Sequence, residues 1–470
     1  MLRFLCACAF LAASVVTAGA ATAPKYIFLF IGDGMAEPQR QMAEAFALKS
    51  GYGRLAMNDM PHKALTATRS ANSAVTDSAA ASTAIACGVK TKNSRLGVDP
   101  DGKRLTSVAE VAKARGMKVA VMTTVTILHA TPGGFYAHRS SRSDEYGIGL
   151  DLVASGFDFF AGGGFSRRTR DRKHALYRGD IIDLAKEAGY EVATRPEQFC
   201  AFVPGGKALY VPGSFPYSID IAPGDRAPTL SALVAKAVEL LDGEKGFFIM
   251  CEGGEIDHAC HANDAATSVH DMLEFDRSVK VAKAFLEKHP DETLILVTGD
   301  HETGGLSLDC AAEGTDIAYL GLQKRSAGRY SSHVQRRIQK AGGRLTLKDL
   351  EGDLAENFGF VFPGAKKPEK GLFVTLTEDD MKKLETTLER DAALVRARMA
   401  ETTDYMAKRR YEFALAAKSI LNRHAGVKWK TAGHTALPTL TTAIGACSDI
   451  VRTMKDNTEI SIRLKELIEK

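Results

Sequence analysis

Tyr26-Ile27-Phe28-Leu29-Phe30-Ile31, followed at once by Gly32-Asp33, decides the fold of this chain. An unbroken apolar run of this kind suits a strand buried on both faces. Similar runs recur behind helix-like stretches. Lys118 to Thr124 follows the helical pattern of Ser107 to Ala114, and Gly246 to Cys251 follows that of Leu230 to Leu241. Thr293 to Thr298 follows Ala265 to Lys288. Strands alternating with helices predict βαβ units, hence an α/β chain folded as a three-layer αβα sandwich around a central, mostly parallel sheet.

Outward from these runs the pattern changes twice. Ahead of Tyr26, Arg3 supplies a positive region and Leu5 to Val16 an apolar one. Ala18-Gly19-Ala20 or Ala21-Thr22-Ala23 then offers a small-x-small cleavage site. Residues 1–23 read as a signal peptide, with an apolar run too short for a stable membrane anchor, and they predict a periplasmic or secreted protein. The enzyme domain is expected over 24–470. Past Cys310, residues 311–375 mix Gly, Lys and short apolar pieces, and 376–425 are charged with Met381, Leu384 and Leu388 at helical spacing. A variable helical insertion, a cap, is expected at about 311–426. Core character returns from Val427 to Ile444, and Met454 to Lys470 reads as a surface helix.

Bulk composition narrows the function classes. Sixty-one basic against 57 acidic residues leave a net charge of +4, with aromatic residues at 7%. Neither the charge nor the aromatic content supports a nucleic-acid partner. Six cysteines follow the leader: Cys87, Cys200, Cys251, Cys260, Cys310 and Cys447. Export would permit disulfides, but this density is too low for a disulfide scaffold, and none forms a C-x-x-C pair.

Three of the buried-type strands run straight into an acid: Asp33 after Ile31-Gly32, Glu252 after Cys251, and Asp300 after Thr298-Gly299. In open parallel sheets the ligand crevice lies outside the carboxyl ends of the strands. Three carboxylates converging there would repel one another unless cations intervene. His301 follows Asp300 directly, and Asp257 and His261 are spaced to share one face of a helical turn. Imidazole with carboxylate and no thiolate suits zinc or a similar divalent ion.

Thr76-Asp77-Ser78 precedes the small-residue run Ala79 to Ala86, which favours helix. With Thr76 or Asp77 as N-cap, Ser78 lies in the first turn, where free N–H groups and the positive dipole end attract an anion. Beside a metal such a serine becomes a nucleophile. Locally, a plain capping serine is an equal alternative. No G-x-S-x-G elbow competes, and Gly88-Val89-Lys90-Thr91 lacks the adjacent Gly-Lys of a phosphate-binding loop.

Taken together and in order, these motifs resemble the alkaline phosphatase family. They are Ile31-Gly32-Asp33-Gly34-Met35, Val75-Thr76-Asp77-Ser78-Ala79-Ala80, and His129-Ala130-Thr131-Pro132 with Ala137-His138 and Arg142. Glu252-Gly253-Gly254-Glu255-Ile256-Asp257-His258 with His261, Val297-Thr298-Gly299-Asp300-His301, and Gly433-His434-Thr435 complete the set. The resemblance covers 26–310 and 427–445 and implies hydrolysis of small phosphate monoesters through a phosphoserine at Ser78. It further implies two zinc ions, one on Asp257, His261 and His434, the other on Asp33, Asp300 and His301 with Ser78. Magnesium is implied on Asp33, Thr131 and Glu252, and Arg142 would clamp two phosphate oxygens. His129 would sit near the magnesium, directly or through water, and His258 near the phosphate. Both positions vary in the family, and both would tune metal preference and pH optimum. A homodimer is a further implication. Thr435-Ala436-Leu437-Pro438 departs from the more usual acidic continuation after the last motif. Competing readings are a related diesterase or sulfatase, and a periplasmic metal- or phosphate-binding protein without turnover. Ser78 and Arg142 together favour the monoesterase.

Overall fold

The computed structural model describes residues 23–165, 172–222, 224–225, 227–309, 314–399 and 411–470. Apart from Ala23, the expected leader lies outside the described residues, as does Cys310. Strands β1 (Tyr26–Gly32), β2 (His62–Thr66), β3 (Lys118–Thr126), β4 (Phe159–Gly163), β5 (Tyr190–Ala193), β6 (Lys207–Tyr210), β7 (Phe247–Gly253), β8 (Thr293–Gly299) and β9 (Thr439–Gly445) form one sheet. Its order is β2-β9-β8-β1-β7-β3-β4-β6-β5. Only β9 runs against its neighbours, β8 and β2; the other pairs are parallel.

The first strand shows why both faces are covered. Tyr26, Phe28 and Phe30 point into one apolar cluster, with residues of helices Glu37–Lys49, Leu230–Leu241 and Ala265–Leu286. Ile27, Leu29 and Ile31 point into a second, with residues of Ser78–Cys87, Val108–Ala114 and Thr458–Glu469. Helices on both faces of a mostly parallel sheet make the expected αβα sandwich. Burying a phenylalanine such as Phe28 or Phe30, both fully inaccessible, contributes roughly 2–3 kcal/mol.

Helices Ala327–Lys340, Glu351–Phe358, Glu378–Met399 and Phe413–His424 share a third core around Tyr330, Phe358, Leu384, Leu388, Phe413 and Ile420. This helical module follows β8 in the chain and precedes the hairpin strand Val427–Trp429, which pairs with Leu306–Leu308. Cys87, Cys251 and Cys260 are buried thiols outside any disulfide. Among the described residues no helix is long and apolar enough to cross a membrane.

Candidate active site

Strand register brings the acids together. Gly32 pairs with both Gly253 and Gly299, so Asp33 and Asp300 leave β1 and β8 at one height, while Glu252 of β7 lies two residues behind them, level with Ile31. All three are fully buried. Burial pushes the Asp33 carboxyl well above its usual range, and Asp300, Asp257 and Glu252 push it further. Asp300 is raised likewise, by burial and then by Asp257. Gly34 completes the turn at φ +71°, and a Cβ there would meet Asp257 Oδ1 at 2.8 Å. Only glycine admits both the left-handed backbone and the close approach.

Three groups of facing ligand atoms result: Asp257, His261 and His434; Asp33, Asp300 and His301; and Asp33, His129 and Glu252. Hydrogen bonds fix the imidazoles. His261 Nδ1 donates to the Ala432 carbonyl at 2.6 Å, and His434 Nδ1 to the Thr76 carbonyl at 3.0 Å. Their Nε2 lone pairs then face each other at 3.2 Å, with Asp257 Oδ2 3.2 Å from His261 Nε2. Two facing imidazole nitrogens and a carboxylate converge on one point, where a shared cation would be held.

His301 follows the same logic. Its Nδ1 lies 3.3 Å from Thr303 Oγ1, which itself donates to Asp257 Oδ1 at 2.5 Å. The ring therefore keeps Nε2 unprotonated toward Ser78 Oγ at 3.2 Å, Asp300 Oδ2 at 3.3 Å and Asp33 Oδ1 at 3.5 Å. Burial, then His434, keep this imidazole neutral. Asp33 Oδ1, Asp300 Oδ2, Glu252 Oε1 and His129 Nδ1 are buried atoms with no hydrogen-bond partner. Each orphan belongs to one of the three groups, and the donor sets fit divalent cations.

Ser78 opens the helix Ser78–Cys87 and is 2% exposed. Asp77 is its N-cap: Oδ1 accepts from Ala80 N at 3.0 Å, while Oδ2 accepts from Ser94 N at 2.9 Å and from Arg142 at 3.3 Å. One carboxylate thus orients both the serine helix and the guanidinium. Arg142 also donates to His129 Nε2 at 3.1 Å. An arginine can only donate, so the His129 proton sits on Nδ1, 3.7 Å from Asp33 and 3.6 Å from Glu252. That spacing suits a bridging water better than direct ligation. Thr131 Oγ1 donates to Asp33 Oδ2 at 3.2 Å. His258 stands half-exposed at the rim, its ring edge-on to His129 with centroids 6.0 Å apart. A hydrogen bond to Glu255 raises its pKa.

Every residue singled out in the sequence therefore reaches this crevice: Ser78, Arg142, Asp33, Thr131, Glu252, Asp257, His261, Asp300, His301 and His434, with His129 and His258 beside them. Sequence reading missed Thr123, which donates to Glu252, and Thr303 and Glu302. Glu302 is a fully buried carboxylate that accepts from Gln39 at 2.6 Å, from the Leu306 and Gly305 amides at 3.1 Å each, and from Thr435. It ties the His301 segment to the His434 segment. Its place directly after Asp300-His301 was the available signal.

Comparisons with known proteins point to one family. The family model for alkaline phosphatase matches residues 24–469. Alkaline phosphatase 3 of Bacillus subtilis is 30% identical over 398 residues, covering 82% of this chain and 76% of the relative. An alkaline phosphatase of Schizosaccharomyces pombe is 32% identical over 309 residues, covering 61% of this chain and 57% of its own length. Among solved structures, a cold-active alkaline phosphatase from a psychrophilic Shewanella superposes with a TM-score of 0.77 at 26% identity, over 95% of this chain and 100% of that one.

Proposed function

This chain belongs to the alkaline phosphatase family, and on that premise we propose that it hydrolyses phosphate monoesters to an alcohol and phosphate through a phosphoserine at Ser78. One observation carries the reading. Ser78 Oγ, at a helix N-terminus, faces the unprotonated Nε2 of His301, and His301 in turn faces the orphaned oxygens of Asp33 and Asp300.

The donor sets fit two zinc ions and one magnesium ion. Asp257, His261 and His434 would hold one zinc; Asp33, Asp300 and His301, with Ser78, would hold the other. Asp33, Glu252 and Thr131 would hold magnesium, with His129 reaching it through water. When bound, such ions supply positive charge where the attacking and leaving oxygens become anionic.

The chain does the rest. The first-turn amides and the guanidinium of Arg142, held by Asp77, bind and orient the phosphoryl oxygens. Ser78 Oγ gives up its proton to solvent and forms the new O–P bond as the ester O–P bond breaks, and the alcohol oxygen leaves with the electron pair and takes up a proton. Water then attacks phosphorus from the opposite side and loses a proton, the serine O–P bond breaks, and Ser78 Oγ leaves with the electron pair and is reprotonated. His258, protonated more readily because of Glu255, would contact a phosphate oxygen or the incoming water. The leader-like pattern of residues 1–23 supports a periplasmic or secreted setting, and a homodimer is proposed on the family resemblance alone.

The test is Ser78→Ala on a nitrophenyl monoester, with the matching diester and sulfate run beside the parent chain. Monoester turnover should fall by roughly 10³-fold or more, and the parent should prefer the monoester. Unchanged turnover in the variant would exclude Ser78 as the nucleophile. Diester or sulfate rates equal to the monoester rate would move the chain to a different chemistry of the same fold.

A further inference from the structure

The helix Glu255–His261 carries Asp257 and His261, and it ends against the helical module. Asn263 turns the chain there at φ +52°. Its side-chain amide donates to the Cys260 carbonyl at 3.2 Å and to the Thr431 carbonyl at 2.9 Å. The first bond closes the ligand helix. The second reaches the loop that contains Ala432, the acceptor of His261, and His434 itself. The backbone carbonyl of Asn263 accepts in turn from Lys418 Nζ at 2.9 Å and Asn422 Nδ2 at 2.8 Å, both on the module helix Phe413–His424.

The next residue is gripped from the other end of the module. Asp264, 2% exposed, accepts from Gln323 at 2.9 Å and from the amide of Ala327, the first residue of helix Ala327–Lys340, at 2.8 Å. Two consecutive residues, beginning two positions beyond a ligand histidine, thus take hydrogen bonds from both edges of the inserted module. Simple docking of a surface domain needs no such convergence on one dipeptide. Residues that orient metal ligands from behind commonly govern how tightly the ion is held.

We propose that Asn263 is a positioning residue, through which the helical module sets the retention of the cation bound by Asp257, His261 and His434. The inference rests on reading that group as a metal site. Lys418 and Asn422 hold the Asn263 carbonyl, Asn263 holds the helix end and the Thr431 carbonyl, and the two histidines keep their lone pairs on one point.

The seam also suits a clean test. A cavity of about 420 Å³ lies beside Asn263, Lys418 and Asn422, so apolar replacements there have room. Trp429, the only tryptophan of the chain, lines the same cavity and packs on Gly304, where a Cβ would lie 2.3 Å from its ring. Its fluorescence therefore reports on the seam directly. The full chain is loaded with zinc and mixed with a chromophoric chelator, and zinc release is followed together with tryptophan emission. Asn263→Gly keeps the left-handed backbone but removes both amide donors. The pair Lys418→Met with Asn422→Leu removes the module's grip from the other side. Both are expected to release one zinc equivalent about 10- to 100-fold faster than the parent, with a shift in emission and a zinc-loaded Tm within a few degrees of the parent. Lys428→Met, on the same cavity but paired outward with Asp309, should release zinc at the parent rate. Should Asn263→Gly fail to fold, the module pair carries the test. Parent-like release from folded variants overturns the proposal, as does a lowered Tm with no change in release. A parent chain that takes up no zinc refutes the metal reading itself, which is a separate outcome.

Discussion

Glu302 shows what a single residue can do out of sight. It is a buried carboxylate whose two oxygens accept four hydrogen bonds, none from a charged side chain. In Glu302→Gln the amide group must face at least one of these donors. Losing such bonds costs about 1.5–3 kcal/mol, so thermal unfolding should shift down accordingly; an unchanged Tm would mean that the network relaxes freely. Asp271 gives a second prediction at this scale. Burial pushes its carboxyl up to about 8, and its Oδ2 has no partner, while Oδ1 accepts from Ser218. A folded pKa above the unfolded value means full stability in acid, lost as the pH rises toward 8. Asp271→Asn should remove that slope, so the variant's Tm gains on the parent's from about pH 4 to pH 8 and runs parallel above; equal slopes would show the group to be ionised throughout. Asp271 was not legible in the sequence, because it gains its meaning from Ser218, far away in the chain, and Glu302 had only its place beside Asp300-His301 to mark it. Asp33, Asp300 and His301 were legible, because strand ends announce themselves by the apolar runs before them.

At the scale of elements, the helix Ser78–Cys87 and its N-cap do two jobs that substitution can separate. Asp77→Ala removes the cap and should cost about 1 kcal/mol of stability. Asp77→Asn keeps one oxygen for the Ala80 amide but turns an N–H group toward Ser94 and Arg142. It should keep near-parent stability. Both variants should bind phosphate more weakly, seen as a raised inhibition constant for inorganic phosphate and a raised KM. Parent-like phosphate inhibition in both would show that Arg142 needs no anchor. The same scale explains which elements could be read in advance. β1, β3, β7 and β8 are long enough for their composition to show. β4, β5 and β6 have four or five residues each, too few for periodicity to rise above chance, so these three of the nine strands came into view only with the structure. In the mixed stretch after Cys310, helix Ala327–Lys340 carries a regular stripe at Ala327, Tyr330, Val334 and Ile338, whereas the short helix Glu351–Phe358 buries only Leu354, Asn357 and Phe358 and is correspondingly faint.

For the molecule as a whole, the crevice imposes a cost on the fold that metal removes. Asp33, Asp300 and Glu252 lie fully buried side by side, and buried like charges destabilise the compact state. An ion bound only by the native state adds stability by mass action, about 4 kcal/mol at a thousand-fold excess over Kd. Calorimetry of chelator-treated and zinc- and magnesium-loaded protein should therefore show a Tm lower by several degrees without metal, and no monoesterase activity until metal is returned. Identical melting in both states would mean that these carboxylates are neutralised by other means. The architecture itself followed from the opening strand, since residues alternating between two apolar clusters require a layer of helices on each face.

Asp33 stands on the first strand of the sheet and His434 just ahead of the last, and the antiparallel return of β9 closes the gap between them. No shorter stretch of chain contains all three ligand groups. A chain still emerging from the ribosome therefore lacks part of the crevice until the segment bearing His434 has been made. Any truncation ahead of that segment would silence the centre while sparing most of the sheet.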